Sequence, residues 1–323
     1  MGVYHFMGLG RSVGAVTGPL SYLGHRFQRW NNTDREFFGA SGEECQRVQG
    51  EKVGDVQALV LFTTAEVLDG TVQCYPYCIN QPGLCPKGVS NPQSARPIRG
   101  VLHDLLPKIL RPLAKGRNCI KLYWCRVDRT DLLATFRHAA RVLLAAKSVG
   151  SLGKETWFNL TGGNNVTNLA LQLSAALTGS PARFYYVQAQ NPDAEKCIHY
   201  THEESYFVDL PLLPIRPHEA SRHLVELVVE RGSIETPALF TQAKEQHWSQ
   251  IQDAENLDQF RNQYVRPLLF QELITTDGEM LRPGRRWPLM RPYYETLDAI
   301  DGSVSSLGNL AKNDWFEEED LPL

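Results

Sequence analysis

The sequence has no long hydrophobic run and no large excess of charge, and each lack excludes a class of protein. No stretch approaches about 18 consecutive apolar residues, so we expect no membrane-spanning helix. Lys plus Arg number 33 against 36 Asp plus Glu, and the net charge of −3 argues against general binding of polyanions. Residues Met1–Gly10 lack the basic, apolar and small-residue segments of a secretory signal. We therefore expect a cytoplasmic protein that does not bind membranes.

Cysteine is also scarce, with seven residues in 323, and an odd number at this density argues against a disulfide framework. Cys74, Cys78 and Cys85 cluster in CYPYCINQPGLC, but their spacing is not that of a standard zinc site. A fourth zinc ligand would have to come from elsewhere in the chain, from His103, Cys119 or Cys125. We favour ordinary loop cysteines over a structural zinc and predict that the protein needs no metal and no cofactor.

Buried strands alternate with amphipathic helices over the first two thirds of the chain. With 42% apolar and 21% charged residues, the composition is that of a globular protein. A clear amphipathic helix is predicted over Asp128–Lys147. Five apolar segments are predicted as strands: Val3–Leu9, Ala58–Thr63, Cys119–Val127, Thr156–Leu160 and Ala182–Val187. This alternation predicts an α/β fold with a Rossmann-like parallel sheet and helices on both faces.

Two glycine-rich turns follow predicted strands and open predicted helices. They are Gly10–Arg11–Ser12 and the segment Thr161–Gly162–Gly163–Asn164–Asn165. Ligands of open parallel sheets bind at the carboxyl ends of the strands, and such turns offer backbone N–H groups to a phosphate. The alternative is a tight turn that needs glycine for backbone reasons alone. A nicotinamide site is weakly supported, because the first turn reads G-x-G-x-x-x-G, one residue longer than the dinucleotide fingerprint.

Two segments resemble the CARF domains, the CRISPR-associated Rossmann folds. FNLTGGNNVTNLALQLSAALTGSPARFYYVQ is similar to that family's strand–TGG–helix–strand signature, and LGRSVGAVTGPLSYL to its first strand–turn–helix. The resemblance covers about residues 1–210 and implies a homodimer whose shared pocket binds cyclic oligoadenylate, the messenger of type III CRISPR systems. It implies that the ligand-binding residues are Gly10, Arg11, Ser12, Thr161, Gly162, Gly163, Asn164 and Asn165, with Thr63 and Thr64 as further contacts.

A proline-rich segment, LPLLPIRP, places a domain boundary near residue 211. The sequence beyond it predicts three helices and a hairpin that turns at Asp277–Gly278, so residues 211–323 are predicted to be a mostly α winged helix-turn-helix domain with an acidic tail. The predicted third helix is acidic, which disfavours DNA binding and favours a dimerising or structural role. Arginines near the hairpin either touch a phosphate backbone or pair with the acidic tail Glu317, Glu318, Glu319 and Asp320; they are Arg282, Arg285, Arg286 and Arg291.

The resemblance extends to ring nucleases, stand-alone CARF proteins that cleave the cyclic messenger without a metal. In this chemistry the 2′-hydroxyl attacks the adjacent phosphate and leaves a 2′,3′-cyclic phosphate. The resemblance implies Ser12, Arg11 and Asn165 as catalytic residues. Ring nucleases of this type commonly carry Lys after the TGG, where this chain has Asn164 and Asn165, and an amide cannot offset charge as an ammonium does. We expect slow cleavage of cyclic tetra-adenylate; the alternative is a non-catalytic, ligand-gated transcription regulator.

Overall fold

The computed structural model describes residues 3–29, 38, 55–74, 95–114, 116–147, 155–178, 183–188, 207–210, 219–246, 251, 254–300 and 306–323. The chain forms two compact units. The first comprises Met1–Pro214 together with Ile300–Leu323, and the second comprises Ile215–Ala299. No helix of the described residues is long and apolar enough to cross a bilayer.

The described strands, in chain order, are β1 (Val3–Gly8), β2 (Val56–Thr63), β3 (Gln73–Cys74), β4 (Arg96–Pro97), β5 (Cys119–Arg126), β6 (Glu155–Asn159), β7 (Arg183–Val187), β8 (Phe207–Leu210), β9 (Ile234–Glu235), β10 (Ile274–Asp277), β11 (Met280–Pro283) and β12 (Phe316–Pro322). The helices are α1 (Gly14–Arg29), α2 (Ala65–Leu68), α3 (Ile98–Leu110), α4 (Leu132–Lys147), α5 (Asn165–Thr178), α6 (Glu219–Arg231), α7 (Thr236–Glu245), α8 (Leu257–Phe260), α9 (Arg266–Phe270), α10 (Trp287–Ile300) and α11 (Leu307–Leu310). A 3₁₀ turn covers Arg111–Leu113, and a π-helical turn, Arg261–Val265, joins α8 to α9.

The first unit is built on a seven-stranded sheet of order β12-β5-β2-β1-β6-β7-β8. The five strands β5, β2, β1, β6 and β7 are parallel, and β12 and β8 run antiparallel at the two edges. The predicted Rossmann-like parallel sheet is therefore confirmed, as are its five predicted strands to within a few residues. The strand order reverses between β1 and β6, and this switch point is where open α/β sheets bind ligands.

Both faces of this sheet are covered, which explains why its strands are apolar at consecutive positions. Val3 and Met7 of β1 belong to one buried cluster, into which α1 and α3 pack. Tyr4 and Phe6 of the same strand belong to a second cluster, which α4 and α5 cover. The helix predicted from Asp128 begins only at Leu132, because a short turn precedes it in which the Asp128 carboxylate accepts hydrogen bonds from Thr130.

The acidic tail belongs to the first unit, which corrects the prediction that residues 211–323 form one domain. Residues 316–322 pair antiparallel with β5, and Phe316 and Leu321 are buried in the two cores. The acidic side chains of this strand bind basic groups of the first unit: Glu317 and Glu319 bind Arg99, Glu319 also contacts His103, and Glu318 and Asp320 bind Lys121. These contacts join the end of the sequence to the edge of the sheet.

The second unit is mostly helical. It contains α6, α7, the α8–α9 segment and α10, together with a small antiparallel sheet of order β10-β11-β9. The predicted hairpin is present, with its turn at residues 277–280. Leu224, Leu239, Phe260 and Leu268 are among the buried side chains of this unit.

Candidate ligand-binding site

The two predicted glycine loops follow β1 and β6, which are neighbours at the switch point, and their main chains are in direct contact. A Cβ atom added to Gly162 would lie 2.3 Å from the carbonyl oxygen of Gly8 and 2.8 Å from the Cβ of Ala15. A Cβ atom added to Gly8 would lie 2.7 Å from the carbonyl oxygen of Gly162. Gly163 also has a φ of +86°, a backbone conformation that glycine adopts readily. The glycines therefore allow a close approach that brings both loops to one edge of the sheet.

Asn159, which sequence reasoning missed, ties the second loop to the first helix. This buried side chain ends β6; its Oδ1 accepts a hydrogen bond of 2.8 Å from the Thr161 N–H, and its Nδ2 donates one of 3.4 Å to the Ala15 carbonyl. The sequence signal for Asn159 is its position, because it is a polar residue at the end of the buried strand segment ETWFN. Its amide stabilises the geometry of both loops.

Several predicted contact residues stabilise the loops through their side chains. Thr63 is buried, and its hydroxyl donates a hydrogen bond of 2.9 Å to the Leu9 carbonyl, so this group is directed at the first loop. The Thr161 hydroxyl accepts a hydrogen bond of 2.8 Å from the Val187 N–H. The Asn164 Oδ1 accepts one of 2.9 Å from the Thr167 N–H, which makes Asn164 the N-cap of α5.

An open cavity of about 630 Å³ lies over the two loops and the end of β2, and we call it the glycine-loop cavity. Its lining residues are Gly10, Arg11, Thr64, Glu66, Val67, Thr71, Val72, Gln73, Arg129, Gly163 and Asn164. Of the predicted site residues, five therefore line it. Those that do not are Ser12, Thr63, Thr161, Gly162 and Asn165; among these, Ser12 is half-buried and Asn165 is exposed at the start of α5.

The glycine-loop cavity carries two guanidinium groups, those of Arg11 and Arg129. Arg11 was predicted from the sequence, and Arg129 was not. Within the described part of the chain neither forms an ion pair with a carboxylate. The cavity's one carboxylate is Glu66, whose pKa is lowered mainly by a hydrogen bond from the Thr64 side chain. Helices α1 and α5, of 16 and 14 residues, both begin at this edge and add the positive ends of their dipoles. The arrangement favours an anionic ligand.

The four arginines near the hairpin are paired within the second unit, so the predicted alternative of pairing with the acidic tail is wrong. Arg282 lies 3.1 Å from Asp277, and Arg291 lies 2.7 Å from Glu295. The carboxylate of Glu272 binds two more arginines, Arg285 at 2.6 Å and Arg286 at 3.1 Å. These local ion pairs lower the net positive charge that the hairpin offers to a phosphate backbone.

The cysteine cluster is described only in part. Cys74 is buried in β3, while Cys78 and Cys85 lie outside the described residues. Of the other ligands considered for zinc, Cys125 is buried in the core, Cys119 is exposed, and His103 pairs with Glu319 at 3.1 Å. Among the residues that the structure describes, no three His, Cys, Asp or Glu side chains are grouped as a metal site would need.

Comparison with known proteins gives distant similarities. No protein-family model matches the sequence. An uncharacterised protein of Archaeoglobus fulgidus is 32% identical over 195 residues, which are 58% of this chain and 57% of the relative. Enterococcus italicus Csm6 bound to cyclic hexa-2′-fluoro-hexa-dAMP gives a TM-score of 0.39 at 14% identity, over 84% of this chain and 58% of that chain. Can2 from Sulfobacillus thermosulfidooxidans in complex with cyclic tetra-adenylate gives a TM-score of 0.30 at 9% identity, over 93% of this chain and 64% of that chain. The chain thus spans less than two thirds of each, and similarity at this level assigns no ligand to it.

Proposed function

We propose that this chain is a homodimeric receptor for cyclic oligoadenylate in type III CRISPR antiviral signalling, with cyclic tetra-adenylate as the favoured ring. The observation that carries the proposal is the glycine-loop cavity at the switch point, with its two guanidinium groups free of ion pairs among the described residues. The two motifs that resemble CARF domains form the loops of that same edge.

The chemistry of the cavity suits a ring of phosphodiesters. Arg11 and Arg129 provide charge-assisted hydrogen bonds, and Gly163 leaves the main chain accessible beside them. A cyclic oligonucleotide with an even number of identical units has two-fold symmetry, and a two-fold dimer presents the same cavity twice. Each protomer would therefore bind one half of the ring.

We further propose that the protein cleaves the ring slowly and without a metal. The 2′-hydroxyl oxygen attacks the adjacent phosphorus while the bond from phosphorus to the 5′-oxygen breaks. The hydroxyl proton passes to solvent, the 5′-oxygen takes one up, and the products are a 2′,3′-cyclic phosphate and a 5′-hydroxyl. Arg11 would offset the charge that develops on the phosphoryl oxygens. Ser12 and Asn165 do not line the cavity but each adjoins a lining residue, Arg11 or Asn164, and from there they would donate hydrogen bonds to the same oxygens. The absence of a lysine after the TGG is the reason to expect a low rate.

The test is incubation of the purified protein with labelled cyclic tetra-adenylate in the presence of EDTA, read by gel shift and by product chromatography. We expect binding and slow conversion to linear products that end in a cyclic phosphate. Arg11→Ala should weaken binding roughly ten- to hundredfold, since a hydrogen bond to a charged group is lost. Arg111→Ala is the matched control, because Arg111 is exposed and outside the cavity.

The outcomes separate the two proposals. Ser12→Ala should slow cleavage roughly tenfold or more while leaving the bound fraction high. Binding without any turnover would refute cleavage and leave the receptor proposal standing. Failure of the wild-type protein to bind either cyclic tetra-adenylate or cyclic hexa-adenylate would refute both.

For the second unit we propose a winged helix-turn-helix that serves dimerisation. Its order of α6, β9, α7, α8–α9 and the β10–β11 hairpin supports this assignment. Binding of DNA is not favoured, because the hairpin arginines are paired and the α8 segment carries the exposed Asp258. Salt-dependent retardation of duplex DNA at sub-micromolar protein would contradict this view and support the regulator alternative.

A further inference from the structure

A second cavity of about 620 Å³ adjoins the glycine-loop cavity and shares three lining residues with it: Thr64, Glu66 and Arg129. It lies at the carboxyl end of β5, and we call it the β5 cavity. Its remaining walls are Ala65, Arg126, Val127, Asp128, Thr130, His138, Asp314 and Trp315. The two cavities therefore form one trough along the carboxyl edge of the sheet, with Arg129 at their junction.

His138 has a defined tautomer in the β5 cavity. Its Nδ1 lies 2.9 Å from the carbonyl oxygen of Arg126. A carbonyl oxygen only accepts hydrogen bonds, so Nδ1 carries the proton and Nε2 of the neutral ring is an acceptor. The ring is stacked on Trp315, with centroids 4.0 Å apart and planes 8° from parallel, which fixes its orientation. Burial lowers the pKa of His138, so the ring stays neutral at physiological pH.

The Nε2 atom has no hydrogen-bond partner within the described part of the chain, and it is not sealed from solvent. The charged groups around it also differ from those of the first cavity. Glu66, Asp128 and Asp314 face Arg126 and Arg129, and Arg126 is itself paired with Asp314 at 3.1 Å. Carboxylates outnumber guanidinium groups here, so hydrogen-bond acceptors dominate. Such a site disfavours phosphate and suits a ligand edge that carries N–H donors.

We propose that the β5 cavity is a subsite for the amino-bearing edge of a nucleobase, with His138 Nε2 as the acceptor of the exocyclic amino group. The sugar and phosphate of the same nucleotide would lie in the glycine-loop cavity. This inference rests on the proposed function and adds to it a basis for selecting adenine. Arg129, which lines both cavities, is placed to contact the nucleotide where it crosses from one to the other.

The experiment compares two ligands on three proteins. The ligands are cyclic tetra-adenylate and the same ring built from purine riboside, which lacks the amino group and is otherwise unchanged. The proteins are the wild type, His138→Asn and His103→Asn. Asparagine at position 138 can still donate to the Arg126 carbonyl but has no atom at the Nε2 position. His103 lies outside both cavities, so its substitution is the matched control.

Wild-type protein should bind the adenylate ring more tightly than the purine riboside ring, by roughly two- to tenfold for each amino group that is bound. His138→Asn should bind both rings with the same affinity, namely the affinity that the wild type has for the purine riboside ring. The control His103→Asn should keep the preference of the wild type. If His138→Asn keeps the wild-type preference, or if the wild type binds both rings equally, the subsite is wrong while the receptor proposal stands. If the wild type binds neither ring, nor cyclic hexa-adenylate, the receptor proposal itself has failed. A fourth protein, His138→Gln, whose amide reaches the Nε2 position, should restore part of the preference.

Discussion

His5 makes the first unit sensitive to acid, and the size of the effect can be worked out. The side chain lies in the middle of β1 and is fully buried. Its Nδ1 is 3.3 Å from the Tyr185 hydroxyl, and its Nε2 has no partner among the described residues. Burial, and to a lesser extent the positive charge of Arg183, lowers the pKa of His5 from 6.5 to about 3. The folded protein therefore holds His5 neutral, while the unfolded chain protonates it near pH 6.5.

The unfolded state takes up this proton first as the pH falls, so the contribution of His5 to stability is fully present above pH 6.5 and decreases below it. The free energy of unfolding should fall by about 1.4 kcal/mol per pH unit, until the folded protein also protonates near pH 3. At pH 5 the loss from this one group is about 2 kcal/mol. The half-buried His138, whose pKa is also lowered, adds to the loss in the same direction.

The assay is urea unfolding at pH 7.5 and pH 5, followed by tryptophan fluorescence, for wild type, His5→Gln and the control His25→Gln. His25 is exposed on α1. The wild type and the control should lose about 2 kcal/mol more than His5→Gln between the two pH values. The contribution of His138 cancels in this comparison. An equal pH dependence in all three proteins would refute the argument; His5→Asn replaces the glutamine variant if that one does not fold.

Three further predictions follow from the contacts. Gly162→Ala places a Cβ against the main chain of the opposite loop and should cost about 1–3 kcal/mol and abolish ring binding in a gel-shift assay, whereas Gly10→Ala, with contacts no closer than 3.9 Å, should retain stability in a melting assay. Asn164→Ala removes the N-cap of α5 and should cost about 1 kcal/mol in urea unfolding, while Asn165→Ala, at an exposed position, should cost less than half of that. Phe316→Ala empties a buried site in β12 and should cost about 3–5 kcal/mol, and a loss below 1 kcal/mol would show that β12 contributes little to the first unit.

The parallel sheet could be predicted from the sequence because its strands are buried on both faces. Runs such as ALVLFT are apolar at consecutive positions, and this pattern depends on burial of the strand rather than on its neighbours. The convergence of the two glycine loops could be predicted for a similar reason, since parallel strands place all their carboxyl ends at one edge.

The strand at residues 316–322 could not be predicted in the same way. Four consecutive acidic residues separate its two buried side chains, Phe316 and Leu321, and the segment reads as a solvated tail. Its acidic groups bind Arg99, Lys121 and His103, which lie about 200 residues earlier in the chain. Only the tertiary structure brings these partners together.

The two arginines of the glycine-loop cavity also differ in whether the sequence predicts them. Arg11 belongs to the glycine turn after β1, and the motif of that turn predicts it as a site residue. Arg129 lies in the turn after β5, in a sequence with no glycine or motif, and it reaches the glycine-loop cavity only because β5 lies two strands from β1. The place of Thr63 at the end of β2 predicts a ligand contact, but its side chain is buried and its hydroxyl donates a hydrogen bond to the Leu9 carbonyl.

The pairing of β12 with β5 also bears on how the chain folds as it is synthesised. Trp124 of β5 and its hydrogen-bond partner Glu319 of β12 are 195 residues apart, so a ribosome translates the whole second unit before the edge of the first sheet is covered. Until then the nascent β5 has an unpaired edge, the kind of surface that recruits strands from other chains. Lys121 carries a positive charge within that strand, and such a charge opposes intermolecular pairing before the acidic strand arrives to neutralise it.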